Sequence, residues 1–375
     1  KDTLTSQEIS SIVKSVIEGN GNASVVVKPL SDGGEGFLSS LQNSLPLEPV
    51  HVNVHGPLGD NMNSTYSTFT DPETKVKTAV IEMATAAGLE FVPESQRNPL
   101  NTTAVGVSEL ISHAVEQNQC KKILLGLGGS ATSEGGISML PTMGAKVFLQ
   151  EGQGRKQADT ILFGKDLLRF HSFELPHGKL YPGVHFDIAV DVSNPFTGEK
   201  GAVRVFAKQK GASPDMLDDL EDAMVRLHRF ILDNFQMDLN QVEGSGGTGG
   251  IGGMLYCVLE SVALKSGSQI VSEAIQLEQA IQEADVIFTG EGSFDSQSAD
   301  GKVVSQVQKL CKKHGKPLTI LCGHCGLSKE EIESLDLNVF DLTSRFGSER
   351  SMAQAASCLR ELLSELIDSG ALHFG

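Results

Sequence analysis

The sequence has no tryptophan, three tyrosines and six cysteines, and its 30 lysines and arginines are outnumbered by 47 aspartates and glutamates. Each shortage excludes something. No apolar run reaches the roughly 18–20 residues that a membrane helix needs, so spanning by a helix is out and no membrane partner is expected. The formal charge of −17 argues against nucleic acid, whose binding relies on basic surface to displace phosphate counterions. It does not argue against a nucleotide, because screening over about 8 Å lets a local cation outweigh a distant acidic surface. An anionic substrate would meet its cations inside a cleft. Cys120, Cys257, Cys311, Cys322, Cys325 and Cys358 are too sparse for a disulfide framework in 375 residues and read as reduced thiols of a cytoplasmic protein. The sequons at Asn22, Asn63 and Asn101 read as accidental, since no signal peptide is visible.

What is present is glycine, 40 residues of it, in a chain that is 39% hydrophobic and long enough for two cores. This suits an α/β protein. Thr5-Ser-Gln-Glu8 caps a helix carrying Ile9, Ile12, Val13, Val16 and Ile17, and Val25–Val27 is a β-branched run of the buried parallel type. It leads into Ser31-Asp-Gly-Gly-Glu-Gly36. From about residue 50 the pattern becomes a hairpin or meander, with strands at Val50–Val54, Ser64–Phe69 and Thr78–Met83. A helix near Val105–Glu116, a buried strand from Lys122, a strand Phe186–Val190 and an amphipathic helix Met216–Phe235 follow. The last third alternates again: strands at Val286–Thr289, Leu318–Leu321 and Val339–Leu342, helices at Val303–Lys313 and Ala353–Ser369. The expected architecture is a flavodoxin-like or Rossmann-like parallel sheet built from both chain ends, residues 1–50 and 256–375, with a mixed α/β domain inserted at 51–255. Gly244–Gly253 is expected to be a hinge or a ligand-facing loop near the return crossing.

Four predicted strand ends carry glycine beside carboxylates or hydroxyls: Asp32-Gly33-Gly34, Gly128-Gly129-Ser130-Ala-Thr132, Asp191-Val-Ser-Asn194 and Gly290-Glu291-Gly-Ser-Phe-Asp295. Ligands of parallel α/β sheets gather at the carboxyl ends of strands. Glycine there lets backbone N–H groups close on a phosphate or carboxylate, and a following helix adds its positive end. Asp32, Asp191, Glu291 and Asp295 are the candidates for holding Mg²⁺ or assisting a hydroxyl nucleophile. Lys1, Lys28, Lys208, Lys210 and Lys302 are the candidate cations; Lys210 and Lys302 stand beside glycine, a better phosphate setting than mid-helix. Other nucleotide patterns fail. Gly292 to Lys302 is too long for a Walker loop, and Val303 follows where Ser or Thr is needed. The protein-kinase set His-Arg-Asp, Asp-Phe-Gly and Val-Ala-Ile-Lys is absent, Gly126–Ala131 breaks the dinucleotide spacing, and no His-Glu-x-x-His occurs. Cys322-Gly-His-Cys325 has the spacing of a redox pair but follows a late strand, lacks a preceding Trp and reads as structural.

Taken in order, Lys1-Asp-Thr-Leu-Thr, Ser31-Asp-Gly-Gly-Glu-Gly, Glu82-Met-Ala-Thr-Ala-Ala-Gly-Leu, Arg97-Asn-Pro, Gly128-Gly-Ser-Ala-Thr, Asp191-Val-Ser-Asn-Pro, Gln209-Lys-Gly-Ala and Gly290-Glu-Gly-Ser-Phe-Asp with Gly301-Lys302 resemble the glycerate kinase family over nearly the whole chain. The resemblance implies two α/β domains with the site in a cleft between them, and ATP, Mg²⁺ and D-glycerate as partners, with 2-phosphoglycerate the commoner product. On the residues themselves, Asp191, Lys1 and Asp32 are expected in catalysis, Gly33, Gly34, Gly128, Gly129, Ser130, Thr132, Asn194, Lys210 and Lys302 around substrate and phosphate, and Glu291 and Asp295 on the metal. The strand and Asp-Ser-Phe that usually precede the lysine aligned with Lys1 are absent, so a fragment is expected here. Ser133-Glu134 stands for the usual Asn-Asp, Ser193 for Asp and Phe196 for Leu. Two other readings compete: a hydroxy-acid dehydrogenase, and a non-catalytic sensor of glycerate or nucleotide.

Overall fold

The computed structural model describes residues 3–20, 23–30, 37–42, 45–295 and 302–370. The protein is α/β and divides into two compact units, residues 33–270 and residues 1–32 with 271–375. The chain thus crosses between units at 32/33 and 270/271, where the sequence reading had 50/51 and 255/256. Two segments account for the difference. The helix Phe37–Gln42 buries Phe37 and Leu41, and its Leu38 N–H donates to Glu82 Oε1 at 2.8 Å. At the other crossing, Leu259–Lys265 pairs in parallel with a strand of the larger unit.

In that larger unit, β1 (Glu48–His55), β2 (Asn61–Thr70) and β3 (Lys77–Glu82) form the expected antiparallel meander. β4 (Lys122–Gly126) lies parallel to β3. A small antiparallel sheet follows from β5 (Lys146–Glu151), β6 (Gly154–Gln157) and β7 (Phe170–Glu174). β8 (Leu180–Ala189) and β9 (Leu259–Lys265) then complete a six-stranded sheet in the order β1-β2-β3-β4-β8-β9. Side chains two apart on a strand share a face. One face carries Ile81, Ile123, Leu125, Phe186 and Ile188, all in the main core. The long helix Pro214–Phe235, started by Ser213 and Pro214, adds Leu220, Met224, Leu227 and Ile231 to the same core. The opposite face carries the polar group Glu82, Lys122, His185, Asp187 and Lys265 beside the buried Val80 and Leu124.

Gly244–Gly253, expected to be a hinge or a ligand-facing loop, is largely buried. It enters the helix Gly247–Val258 and is packed inside the larger unit, where a Cβ at Gly250 or Gly253 would come to 2.9 or 2.8 Å of the Phe196 ring. Thr248, Gly249 and Gly250 form a left-handed turn at φ 57°, 69° and 94°, a conformation that favours glycine. The run is glycine-rich for close packing.

The smaller unit holds three parallel strands in order, β10 (Ile287–Phe294), β11 (Leu318–Cys325) and β12 (Asn338–Asp341). The helix Ser6–Gly19, with a Thr5/Glu8 capping box, packs Ile12, Val13 and Ile17 into a core shared with Cys358, Leu359, Leu362 and Leu363 of the helix Ala355–Asp368. The strand expected at Val25–Val27 does not form. Residues 23–30 pair with no strand among the described residues, and Val26 is 74% exposed. The Val25 N–H donates instead to Glu18 Oε1 at 3.0 Å. β10 runs on through Gly290-Glu291-Gly292 rather than stopping before it, because Gly290 has no Cβ to strike the Leu321 carbonyl of β11. Cys322 sits in β11, and burial pushes its thiol far above the usual range; all six cysteines are free. No described helix is long and apolar enough to cross a membrane.

Candidate active site

Glu82, Gly126, Ala189 and Lys265 pair in register across the carboxyl edge of the four parallel strands β3, β4, β8 and β9. With strands spaced about 4.8 Å apart, the row is about 14 Å wide. Gly126 and Ala189 put the least bulk at its middle. The turn after β4 is stitched in place: Leu127 N–H donates to Ala189 O at 3.1 Å, Leu89 N–H to Gly129 O at 2.7 Å, and Ala131 N–H to Ala87 O at 2.9 Å. Between those ties the N–H groups of Gly128, Gly129 and Ser130 have no partner among the described residues, and Gly128 and Gly129 are exposed. Gly129 has φ 63°, where an L side chain is disfavoured. Three successive free amides on a fixed glycine turn make a seat for an anionic oxygen group.

Lys210 lies behind this turn. It is 3% exposed, and its Nζ donates to Ser130 Oγ at 2.8 Å and to the Thr132 carbonyl. Burial pushes its pKa down to about 7, with Glu134 working in the other direction. Glu134 is itself fully buried, raised by burial, and accepts from Ser138 N–H at 3.2 Å and Ser138 Oγ at 3.0 Å. Three separated motifs therefore converge here. Gly211 lies so close to the Arg97 carbonyl that a Cβ would strike it, which fastens Arg97-Asn-Pro to Lys210-Gly211, and Thr102 Oγ1 donates to Ala131 O at 2.9 Å. Lys210 does not stand open to a ligand as the sequence suggested. Thr132 also points inward, with its buried hydroxyl unbonded among the described residues.

Asp191 follows β8 at the same edge, half-buried, and its Oδ1 accepts from Gly267 N–H at 3.2 Å, at the start of the helix Gly267–Ala274. Asn194 is in the neighbouring loop, but its Nδ2 donates to Lys200 O at 2.7 Å and closes that loop. Glu134, Lys265 and Arg97 belong to this region and were missed as site residues. The first follows the glycine turn directly, and the second ends a strand at a predicted ligand edge, so both carried a readable signal. The half-buried Arg97 stood in a quoted motif; its Nε lacks a partner among the described residues.

The other candidates lie outside the described residues or in the smaller unit. Lys1, Asp32, Gly33 and Gly34 lie outside the described residues; Lys302 opens the helix Lys302–His314, with its side chain outside the description. Glu291 and Asp295 belong to the smaller unit, on β10 and just past its end. The strand ends at Phe294, so Asp295 follows the strand that carries Glu291. No three His, Cys, Asp or Glu side chains gather as a metal cage among the described residues.

A family model described as the glycerate kinase family matches residues 1–369. A glycerate 2-kinase of Escherichia coli K12 is 37% identical over 327 residues, covering 86% of this chain and 82% of its own. A glycerate kinase of Haemophilus influenzae is 36% identical, covering 86% of this chain and 83% of its own. A solved structure described as a glycerate kinase 2 from Salmonella typhimurium LT2 superposes with a TM-score of 0.81 at 33% identity, over 99% of this chain and 97% of that one.

Proposed function

Because the chain belongs to the glycerate kinase family, we propose that it transfers the γ-phosphoryl group of ATP to a hydroxyl of D-glycerate, with 2-phosphoglycerate the favoured product. The observation that carries this is the turn of free amides at Gly128, Gly129 and Ser130, fixed at the carboxyl edge of a parallel sheet and backed by a buried lysine. Phosphoryl transfer depends chiefly on holding the reactants in line and stabilising charge on the transferred group. The turn supplies donors to phosphoryl oxygens. Asp191, held by the Gly267 amide, accepts the proton of the attacking hydroxyl as that oxygen bonds to phosphorus and the bond to ADP breaks. Magnesium is expected with ATP, where it takes phosphate oxygens, water and one or two carboxylates.

The test is incubation of the protein with ATP, Mg²⁺ and D-glycerate, followed by phosphorus NMR. A new phosphomonoester with one ADP per product is expected, and its proton–phosphorus couplings, to one proton or two, separate the 2- from the 3-ester. ATP and glycerate left unchanged would remove this reading.

A further inference from the structure

Lys210 is 3% exposed, and its ammonium is directed at the ligand turn. We propose that Lys210 is a positioning residue that makes the Ser130 hydroxyl an obligate hydrogen-bond donor to an anionic oxygen seated on the Gly128–Ser130 turn. This rests on the reading that the turn receives a phosphoryl group.

A serine hydroxyl has one proton and two lone pairs, so it ordinarily gives or takes as its neighbour requires. An ammonium group can only give, and an anion seated on the turn favours the ammonium form of the lysine. With Lys210 Nζ donating at 2.8 Å, one Ser130 lone pair is occupied and the hydroxyl proton is turned away from the amine. A second ammonium proton goes to the Thr132 carbonyl, which fixes the far end of the turn. Glu134 provides opposite charge, but both its oxygens accept from Ser138. Ser130 Oγ is therefore the one side-chain acceptor that Lys210 is seen to use among the described residues, and it lies in the turn itself. A buried ammonium with neutral acceptors is costly to hold, and a methionine of similar length would avoid that cost. Its return is a polarised O–H in the same turn as three amide donors, a set that suits an acceptor-only group. A neutral hydroxyl ligand would gain less, because charge-assisted bonds are roughly twice as strong as neutral ones.

The experiment is a double-mutant cycle on the full chain, with ATP affinity measured by calorimetry and D-glycerate KM measured alongside. Ser130→Ala and Lys210→Met should each weaken ATP about 10–100-fold, the loss expected for a hydrogen bond to a charged group. The double variant should be no weaker than the worse single, and glycerate KM should stay within about threefold, whereas a general structural fault would move both ligands. Losses that multiply in the double variant, or Lys210→Met at wild-type affinity, overturn the proposal. Should Lys210→Met fail to fold, Ser130→Thr, which keeps a hydroxyl, must bind ATP better than Ser130→Ala; equal affinities overturn it as well. Wild type that binds ATP but leaves D-glycerate unphosphorylated removes the kinase reading and leaves the cycle readable. Wild type that binds no ATP removes both.

Discussion

Asp187 and Lys210 are both buried charges of the larger unit, at 1% and 3% exposure, but their surroundings differ. Asp187 is saturated. Lys122 and Lys265 each reach it at 2.9 Å and His185 Nε2 at 3.1 Å, all on one face of the sheet. Burial alone would raise its pKa, yet the bonds and charges of the two lysines outweigh burial and hold it below the usual carboxylate range. Lys210 has two neutral acceptors and a carboxylate bonded elsewhere, and burial wins. A buried charge met in full by its neighbours ties strands together and has little left to offer a ligand. One met only in part keeps charge in reserve for whatever enters next to it. The first is a structural tie; the second is the one proposed to serve the ligand turn.

The largest effect should come from the other aspartate of the same stretch. Asp191→Asn should lower kcat by about 10²–10⁴-fold, the usual loss of a general base, with little change in the glycerate KM. Steady-state kinetics check it, and a variant within threefold of wild type would move Asp191 to the structural side with Asp187. Next, Asp187→Asn should cost about 3–5 kcal/mol of stability, because it leaves two lysines facing a neutral amide. Urea unfolding measures this, and a loss under 1 kcal/mol would show that the lysines find other partners.

Gly129→Ala should cost about 1–2 kcal/mol, the strain of an L residue at positive φ. The nearest atom to the new methyl is Ala84 Cβ at 3.7 Å, so the strain is conformational rather than a clash. ATP affinity should fall with it. Unchanged stability would mean that the turn relaxes freely and is no fixed seat.

The smallest effects are in pH. Asp187 has a lowered folded pKa, so its contribution is present above the ordinary value of 3.8 and is lost as pH falls through the folded value. Lys210 acts at the other end. Its folded pKa is lowered from 10.5 to about 7, so the unfolded chain binds the extra proton between those values and stability rises with pH across that window. Unfolding free energies against pH should lose the acid-side slope in Asp187→Asn and the alkaline-side slope in Lys210→Met. Glu134, raised by burial, is the charged neighbour of Lys210, and Glu134→Gln should move the alkaline window further down.

Local features of this fold were readable in the sequence. The Thr5/Glu8 cap, the meander of β1 to β3, the strand ending at Gly126 and the Gly128–Thr132 turn each depend on neighbours a few residues away. Asp191 was readable for the same reason, as the carboxylate that follows a buried strand. Lys210 was assigned to phosphate binding, but its burial depends on Ser130, 80 residues away. Nothing local distinguishes a lysine at a glycine turn that faces water from one that faces inward. Gly244–Gly253 looked like a hinge because glycine permits motion and close packing alike, and the packing depends on the distant Phe196 ring. Val25–Val27 had a strand's composition and no strand to pair with among the described residues; composition sets a preference, and a ladder needs a neighbour. The Asp187 cluster draws on three strands, and its members had no pattern in common along the chain.

The distinction between the two buried charges is tested most directly by measuring unfolding free energy and kcat/KM for ATP on the same preparations of Lys210→Met and Asp187→Asn. The first should lose about 10–100-fold in kcat/KM while its stability stays within about 1 kcal/mol, since relief of a buried charge offsets the two lost bonds. The second should do the reverse, losing about 3–5 kcal/mol while its folded fraction turns over within about threefold of wild type. If activity and stability fall together in both variants, a charge met only in part is no mark of function in this protein.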